Sequence, residues 1–519
     1  MFWVDEIIED IIKKIPKNDY LITDWTTPSG HAHIGSLRGV VIHDLVRQGL
    51  TERQKTVVFQ YGFDDFDPMD GLPIYIDSSW KKYMGMPLSK VPAPDGKSES
   101  FAEQYLQEFY SAIKTLGINP KIVKTSKLYA EGKFDPAIKL VLDNADKIRQ
   151  MYKKISGSDK GENWQPLQVV CPKCGKIGTT KVTGWDGKLV KFECVENLVD
   201  WAEGCGFEGE ISPFGGKAKM PWKVEWPAKW ALFGSDIEGE GKDHFAAGGS
   251  RDIADEIYRE VFKKTSPYDI RYEHFLIGGA KMSSSKGLGT TAKEMADFLP
   301  ANILKFLLVR TKYKRTIDFH PAGVTIPVLF DEYDRLAALH YQDSKAPLAR
   351  AFYFAQLDPA APHAQYLLRF SKIAYMLQIP HLNIFEYAEN EKGAKLTEIE
   401  KLEIENRVQV AKNWLEKFAP EEFKFTILEK LPEQARNLSQ KQREFLAGVL
   451  KLLKEKKISA EKLHEQIHEL KKTMSIDPRE AFSAIYLIFI GKDSGPQAGW
   501  FLTSLDHDFV IKRFEEAIK

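Results

Sequence analysis

The feature that most constrains this chain is a strand, loop, helix and second strand packed into its first 62 residues. Tyr20–Asp24 (YLITD) is a short apolar run ending in polar residues and reads as a buried strand. The loop TTPSGHAHIGS follows, and then Leu37, Val40, Val41, Asp44 and Leu45 recur at helical spacing. Thr56–Gly62 (TVVFQYG) is a second apolar run rich in β-branched and aromatic residues. Strand, helix and strand at this spacing form a βαβ unit and call for a parallel sheet. In such sheets ligands bind beyond the carboxyl ends of the strands. Ser29, Gly30, His31 and His33 lie after the first strand, and Asp64, Asp65 and Asp67 after the second.

The remainder divides by pattern. The N-terminal stretch reads as an amphipathic surface helix, interrupted by Asp5, Glu6, Glu9 and Asp10, and not as a signal peptide. From Pro92 to about Gly161 the pattern is mostly helical, and from Val169 to Ile211 it is Gly- and Cys-rich with short strands. Arg271–Gly279 (RYEHFLIGG) reads as one more buried strand before the loop AKMSSSKGLG. Helical periodicity dominates the last part, as in Asn406–Phe418, Gln440–Leu453 and Glu461–Lys472. Hydrophobic residues at 43% and charged residues at 28% exclude a wholly disordered chain. No apolar run reaches the ~20 residues of a membrane helix, so no membrane partner and a cytoplasmic location are expected. Lys+Arg and Asp+Glu balance at 73 each, which argues against a large overall positive field but leaves room for a local basic track such as Arg310, Lys312, Lys314 and Arg315.

All four cysteines lie between Cys171 and Cys205, a clustering with a chance of roughly 3 in 10,000 under random placement. Cys171-Pro-Lys-Cys174-Gly is a knuckle, and the glycine lets backbone amides turn toward the sulfurs. With Cys194 and Cys205 it makes four soft ligands, the set that suits one tetrahedral structural Zn²⁺ per chain. The competing reading is a CxxC redox pair with two bystanders. The second half, C-x10-C, is not a knuckle.

Two loops carry candidate chemistry. Pro28, Ser29, Gly30, His31, His33, Gly35 and Ser36 run from a strand into a helix start, whose amides and dipole favour a phosphate. Lys281, Met282, Ser283, Ser284, Ser285 and Lys286 offer a cation and hydroxyls to a triphosphate. Each alone has a bland alternative, a turn or a solvated connector.

Together the loops resemble the HIGH and KMSKS segments of class I aminoacyl-tRNA synthetases. TTPSGHAHIGSLRG, FDDFDPMDGLP, KVEWPAKW, GKDHFAAGGSRD, YEHFLIGGAKMSSSKG and GKDSGPQAGWFLTSLDHDFVIKR occur in an order that resembles class I lysyl-tRNA synthetase over nearly the whole chain. The resemblance implies a Rossmann-like α/β catalytic domain split between residues 1–91 and 216–290. It places an inserted connective region at 92–215, with the zinc module at about 168–211. A linking helical region at 291–345 and an all-α anticodon-binding domain at 346–519 would follow. It implies ATP-dependent lysine activation and transfer to tRNA(Lys), with Mg²⁺ accompanying ATP. His33 and Lys281 become the catalytic pair, and Thr27, Asp64, Asp65, Trp222, His244 and Tyr272 the amino-acid pocket.

Four positions depart from the family pattern. Ser36 stands for the second histidine of HIGH, with His31 as a stand-in, and Ser284 for the second lysine of KMSKS, with Lys286 nearby. Gly39 replaces an acidic residue, and Trp25 a small one, in some members. The segment Asp95–Gln104 has neither Cys nor His, so no second metal site is expected there. Three further readings remain: an adenylyltransferase of the HIGH superfamily that uses no tRNA, a class I synthetase for another amino acid, and an inactive tRNA-binding or regulatory protein.

Overall fold

A computed structural model describes residues 1–281, 290–380, 382–455 and 458–519. It divides into two compact units, residues 1–319 with 342–360, and residues 320–341 with 361–519.

The first unit is built on a five-stranded sheet of β1 (Asp19–Thr26), β2 (Thr56–Phe63), β3 (Lys121–Lys124), β4 (Ile237–Gly241) and β5 (Tyr268–Tyr272). Their spatial order is β5-β4-β1-β2-β3, and every neighbouring pair is parallel. β1 and β2 pair along their whole length, from Asp19 opposite Thr56 to Thr26 opposite Phe63. β3 lies inside the segment expected to be an insertion, yet it is the edge of this sheet. Its sequence, KIVK, carries a lysine at each end and suits an edge strand.

The connecting helix α2 (Ser36–Glu52) packs on β1, β2 and β4. It buries Leu37, Val40, Val41, Leu45 and Val46, an apolar face at helical spacing. The N-terminal helix (Trp3–Lys14) packs on α2, with Ile8 against Gly49, and buries Trp3, Val4, Ile7, Ile8 and Ile11. Full burial of such side chains contributes about 1.5–3 kcal/mol each.

Arg271–Gly279 is not one strand. β5 ends at Tyr272, and Phe275–Ile277 belongs to a small separate sheet with Ala280–Lys281 and Ile317–Asp318. The break falls where the buried Arg38 guanidinium takes the carbonyls of Glu273 and His274, at 2.7 and 2.8 Å. The Glu273 carbonyl is thus satisfied by a side chain, while that of His274 also accepts from the Ile317 amide at 3.1 Å.

The cysteine segment forms an antiparallel three-stranded sheet, Thr180–Trp185, Val190–Cys194 and Glu208–Ile211. The second unit is helical. Its core joins Phe445, Leu446, Val449, Leu463, Ile467, Ile485, Phe489 and Phe514. The expected helices appear there as Glu398–Lys417, Gln440–Glu455 and Ala460–Thr473. Buried Arg407 bonds Asp334 at 2.5 Å and the carbonyl of Leu368 at 3.0 Å. Among the described residues, no helix is long and apolar enough to cross a membrane.

Candidate active site

The chain order of the sheet reverses beside β1, which has β2 on one side and the much later β4 on the other. Such a reversal opens a crevice beyond the carboxyl ends of the strands. Two adjoining cavities occupy it, of about 250 and 640 Å³. They share Trp25, Thr26, Glu240 and His244 as lining residues. His33, Gly35, Ser36 and Tyr272 line the smaller one, and Thr27, Ser29, Asp64 and Trp222 the larger. Asp65 lines neither. Its carboxylate accepts from the amide and hydroxyl of Ser126, at 2.8 and 2.5 Å, which ties β2 to the segment after β3.

The histidine loop is held from three sides. Its Ala32–Ile34 backbone pairs with the segment that follows the serine-rich loop: Ile34 N–H donates to the Thr290 carbonyl at 3.1 Å, and Ala292 N–H to the Ala32 carbonyl at 2.8 Å. The His31 ring nitrogen Nδ1 lies 2.8 Å from both oxygens of Glu108, and this hydrogen bond raises the His31 pKa. The His31 amide donates to the Tyr75 hydroxyl. Gly30 has φ +157°, and a Cβ there would lie 2.6 Å from that hydroxyl. His31 is thus committed to Glu108 and lines neither cavity. The amides of Ser36, Leu37 and Arg38 donate back to the carbonyls of His33, Ile34 and Gly35. These bonds close the first turn, so the helix offers its dipole more than a row of open amides.

Arg38 links this helix to both halves of the site. Beyond Glu273 and His274, it donates to the carbonyls of Tyr313 and Arg315, at 3.2 and 2.5 Å. Burial lowers its pKa to about 10, still far above neutrality. The basic run 310–315 is therefore anchored through its backbone, and Lys312 pairs with Glu6 at 2.6 Å.

Below the larger cavity lies a buried ionic cluster absent from the sequence expectations. Lys229 pairs with Asp64 at 2.5 Å and with Glu225 at 2.9 Å, and Lys219 pairs with Asp67 at 2.9 Å and with Glu225. Tyr129 donates to Glu225 at 2.7 Å, and Thr27 to Asp67 at 2.8 Å. Burial opposes charge on Glu225, but Lys219 and Lys229 hold its pKa down to about 2. Asp64 is pushed up by burial, against the pull of Lys229 and with the push of Asp67. In sequence, Glu225 and Lys229 read as an ordinary i,i+4 surface pair. The one signal against that reading is their company, since Val224, Trp226, Ala228 and Trp230 leave the helix Trp222–Phe233 no polar face.

The shared wall is different. Asp24 accepts from the Trp25 amide at 2.8 Å and faces His43 Nδ1 at 3.0 Å. The Gly39 position is occupied from outside, because a Cβ there would lie 2.6 Å from the Tyr272 hydroxyl. Trp25 lies over Gly62, its partner in the β1–β2 register, with Lys229 4.2 Å from the centre of its ring. The two departures from the family pattern are thus filled by neighbours, Tyr272 in one case and the indole over a glycine in the other. Trp222, Trp226 and His244 form an aromatic group with ring centres 5.6–5.9 Å apart.

Of Lys281 the structure describes the backbone, which pairs with Leu276. Met282, Ser283, Ser284, Ser285 and Lys286 lie outside the described residues.

The four cysteines converge, with all sulfurs within 4.8 Å of one another. Cys171 and Cys205 are 3.6 Å apart and Cys174 and Cys194 3.7 Å, about the edge of a tetrahedron of metal–sulfur bonds. Both halves use the same device: Gly175 and Gly206, each following a cysteine, have φ +76° and +67°. The cluster could hold a metal ion, and its four donors close the coordination sphere.

Comparison with known proteins bears on the whole chain. The family described as tRNA synthetases class I (K) matches residues 1–356. A lysine–tRNA ligase of Methanosarcina barkeri strain Fusaro is 35% identical, over 99% of this chain and 97% of that protein. One of Methanocaldococcus jannaschii is 32% identical over 99% of each, and one of Archaeoglobus fulgidus 31% identical over the full length of both. A parallel sheet with its crevice at the reversal beside β1, in a chain matched in sequence from end to end, makes this protein a member of the class I (K) tRNA synthetases.

Proposed function

We propose that this enzyme is a lysine–tRNA ligase. It activates L-lysine with ATP, taken as the magnesium complex, and transfers the lysyl group to the 3′ end of tRNA(Lys). The observation that carries this reading is similarity to lysine–tRNA ligases over 99% of the chain, including the helical unit that an adenylyltransferase without tRNA would not need. In this reading residues 346–519 bind the anticodon, residues 92–215 apart from the sheet strand β3 form the connective region, and the four cysteines hold zinc.

The chemistry suits the residue types. The lysine carboxylate is already ionised, so it attacks the α-phosphorus without a protein nucleophile or base. A carboxylate-oxygen–phosphorus bond forms, the bond to pyrophosphate breaks, and lysyl-adenylate results. A ribose hydroxyl of the tRNA then attacks the acyl carbon and AMP leaves. Catalysis is positioning plus stabilisation of charge on the transferring phosphoryl. His33 and Lys281 carry that charge, with Pro28, Ser29, Gly30, Gly35, Ser36 and the 282–285 segment around the nucleotide. Thr27, Trp222, His244 and Tyr272 surround lysine where the two cavities meet. Asp64 and Asp65 act through structure, one in the ionic cluster and one on Ser126.

ATP–pyrophosphate exchange tests the reading. Lysine-dependent exchange is expected, and Lys281→Ala should slow it about a hundredfold, on the order of 3 kcal/mol, with little change in lysine binding. An unchanged exchange rate in that variant refutes the role of Lys281. No exchange with lysine refutes the ligase reading.

A further inference from the structure

We propose that Glu240, at the end of β4, is the carboxylate that receives an ammonium group of the amino-acid substrate, an assignment that rests on the lysine reading above. Three carboxylates crowd the carboxyl ends of β1 and β4, and two of them are satisfied within the protein. Glu238 accepts from the Thr23 hydroxyl at 2.5 Å, from Trp230 Nε1 at 2.7 Å and from Trp226 Nε1. Asp24 is bonded by His43 and the Trp25 amide. The tautomer follows: Gly239 N–H donates to His43 Nε2 at 2.7 Å, so Nδ1 carries the proton that Asp24 receives.

Glu240 has no hydrogen-bond or ion-pair partner among the described residues, although it lines both cavities. Burial and the nearness of Asp24 and Glu238 hold its pKa well above the usual carboxylate range. The cations closest in its field are committed elsewhere. Lys229 is held by Asp64 and Glu225, and Arg251 by Asp255 at 3.0 Å and the Pro267 carbonyl at 3.1 Å. A half-buried carboxyl left without a counter-charge keeps its proton. A ligand cation that enters the crevice supplies that counter-charge and returns the group to its carboxylate form.

Lysine brings two such cations, and Glu240 is the carboxylate among the four residues that line both cavities. Position 39, on the facing helix, supplies no charge, and its space is taken by the Tyr272 hydroxyl. The aromatic hydroxyl and the carboxylate together make a polar end for an otherwise apolar stem, with Trp25 alongside.

The test is E240Q, which keeps the shape and removes the charge. Lysine-dependent exchange should show a lysine KM raised about a hundredfold with the ATP KM unchanged, and E240D should recover part of the loss. Thermal unfolding of E240Q should match the parent, which separates substrate recognition from folding. Competition with 6-hydroxynorleucine distinguishes the two ends of the substrate. If Glu240 holds the side-chain ammonium, E240Q loses the preference for lysine over this analogue; if it holds the α-ammonium, both weaken equally and the preference stays. A lysine KM unaltered in E240Q overturns the assignment while leaving the ligase reading intact. Absence of lysine exchange in the parent enzyme overturns both.

Discussion

The cysteine module and the crevice beside β1 solve opposite problems. The module gathers its four donors from one short stretch, Cys171 to Cys205, and closes them on each other with all sulfurs within 4.8 Å. The crevice gathers Thr27, Asp64, Lys219, Lys229 and Glu240 from segments far apart in the chain and lines with them a cavity of about 640 Å³. A four-thiol set has no position left for a substrate, so whatever it binds serves the fold. The crevice keeps an open volume and, at Glu240, a carboxyl group that lacks a counter-charge. Closure marks structure, and incomplete compensation marks the place where a substrate finishes the site.

The sharpest way to break this contrast is to remove whatever metal the four cysteines hold. Structural zinc contributes on the order of 10 kcal/mol to the folding of small metal-bound modules. Chelation, or Cys174→Ser, should abolish the bound metal, measured as about one zinc per chain falling to none. Residues 168–211 should then become sensitive to proteolysis. A metal-free protein with an equally resistant module would show that the cluster is a set of thiols and no more.

Next in size is the ionic floor under the larger cavity. Lys229→Met leaves Asp64 and Glu225 without one of their cations, and breaking a buried pair this way costs about 3–5 kcal/mol. The midpoint of chemical denaturation should fall accordingly. If it does not move and lysine binding weakens instead, the cluster belongs to substrate recognition, and the line drawn between floor and wall is misplaced.

The smallest effect concerns the loop that leads into α2. The His31–Glu108 bond raises the His31 pKa, so its stabilisation is fully present below the ordinary histidine value of about 6.5 and fades as pH rises through the raised value. Both side chains are partly exposed, which limits the effect to less than about 1 kcal/mol. Glu108→Gln should therefore cost stability near pH 6 and almost nothing near pH 9, read from denaturation at both. A pH-independent difference would assign the clamp to packing against Tyr75 and Tyr105, not to charge.

Legibility followed range along the chain. β1, β2 and the helix between them were readable because apolar periodicity is a local property, as was the knuckle around Cys171 and Cys174. The strand expected over 271–279 broke because Arg38, far away in sequence, takes two of its carbonyls. β3 was missed because KIVK, with a lysine at each end, looks like surface until it is seen as an edge. The cluster of Lys219, Glu225 and Lys229 was missed because charged residues are usually solvated, and only the apolar crowd around them hinted otherwise. Asp65 was assigned to the pocket through the resemblance, but it stands in the turn that follows β2, and its carboxylate is taken by Ser126.

By itself, then, the sequence determined the parallel α/β unit at the start, the pairing of four cysteines into one cluster, the helical end and, through its motifs, the family. Those are consequences of short-range periodicity and of residue types that few other roles require. Only the tertiary structure decided which charges are paid off inside the protein and which remain for a ligand. Asp24, Asp64, Glu225, Glu238 and Glu240 are alike as letters. Their roles separate only when folding brings indoles, lysines and a histidine to four of them and, among the described residues, no such partner to Glu240.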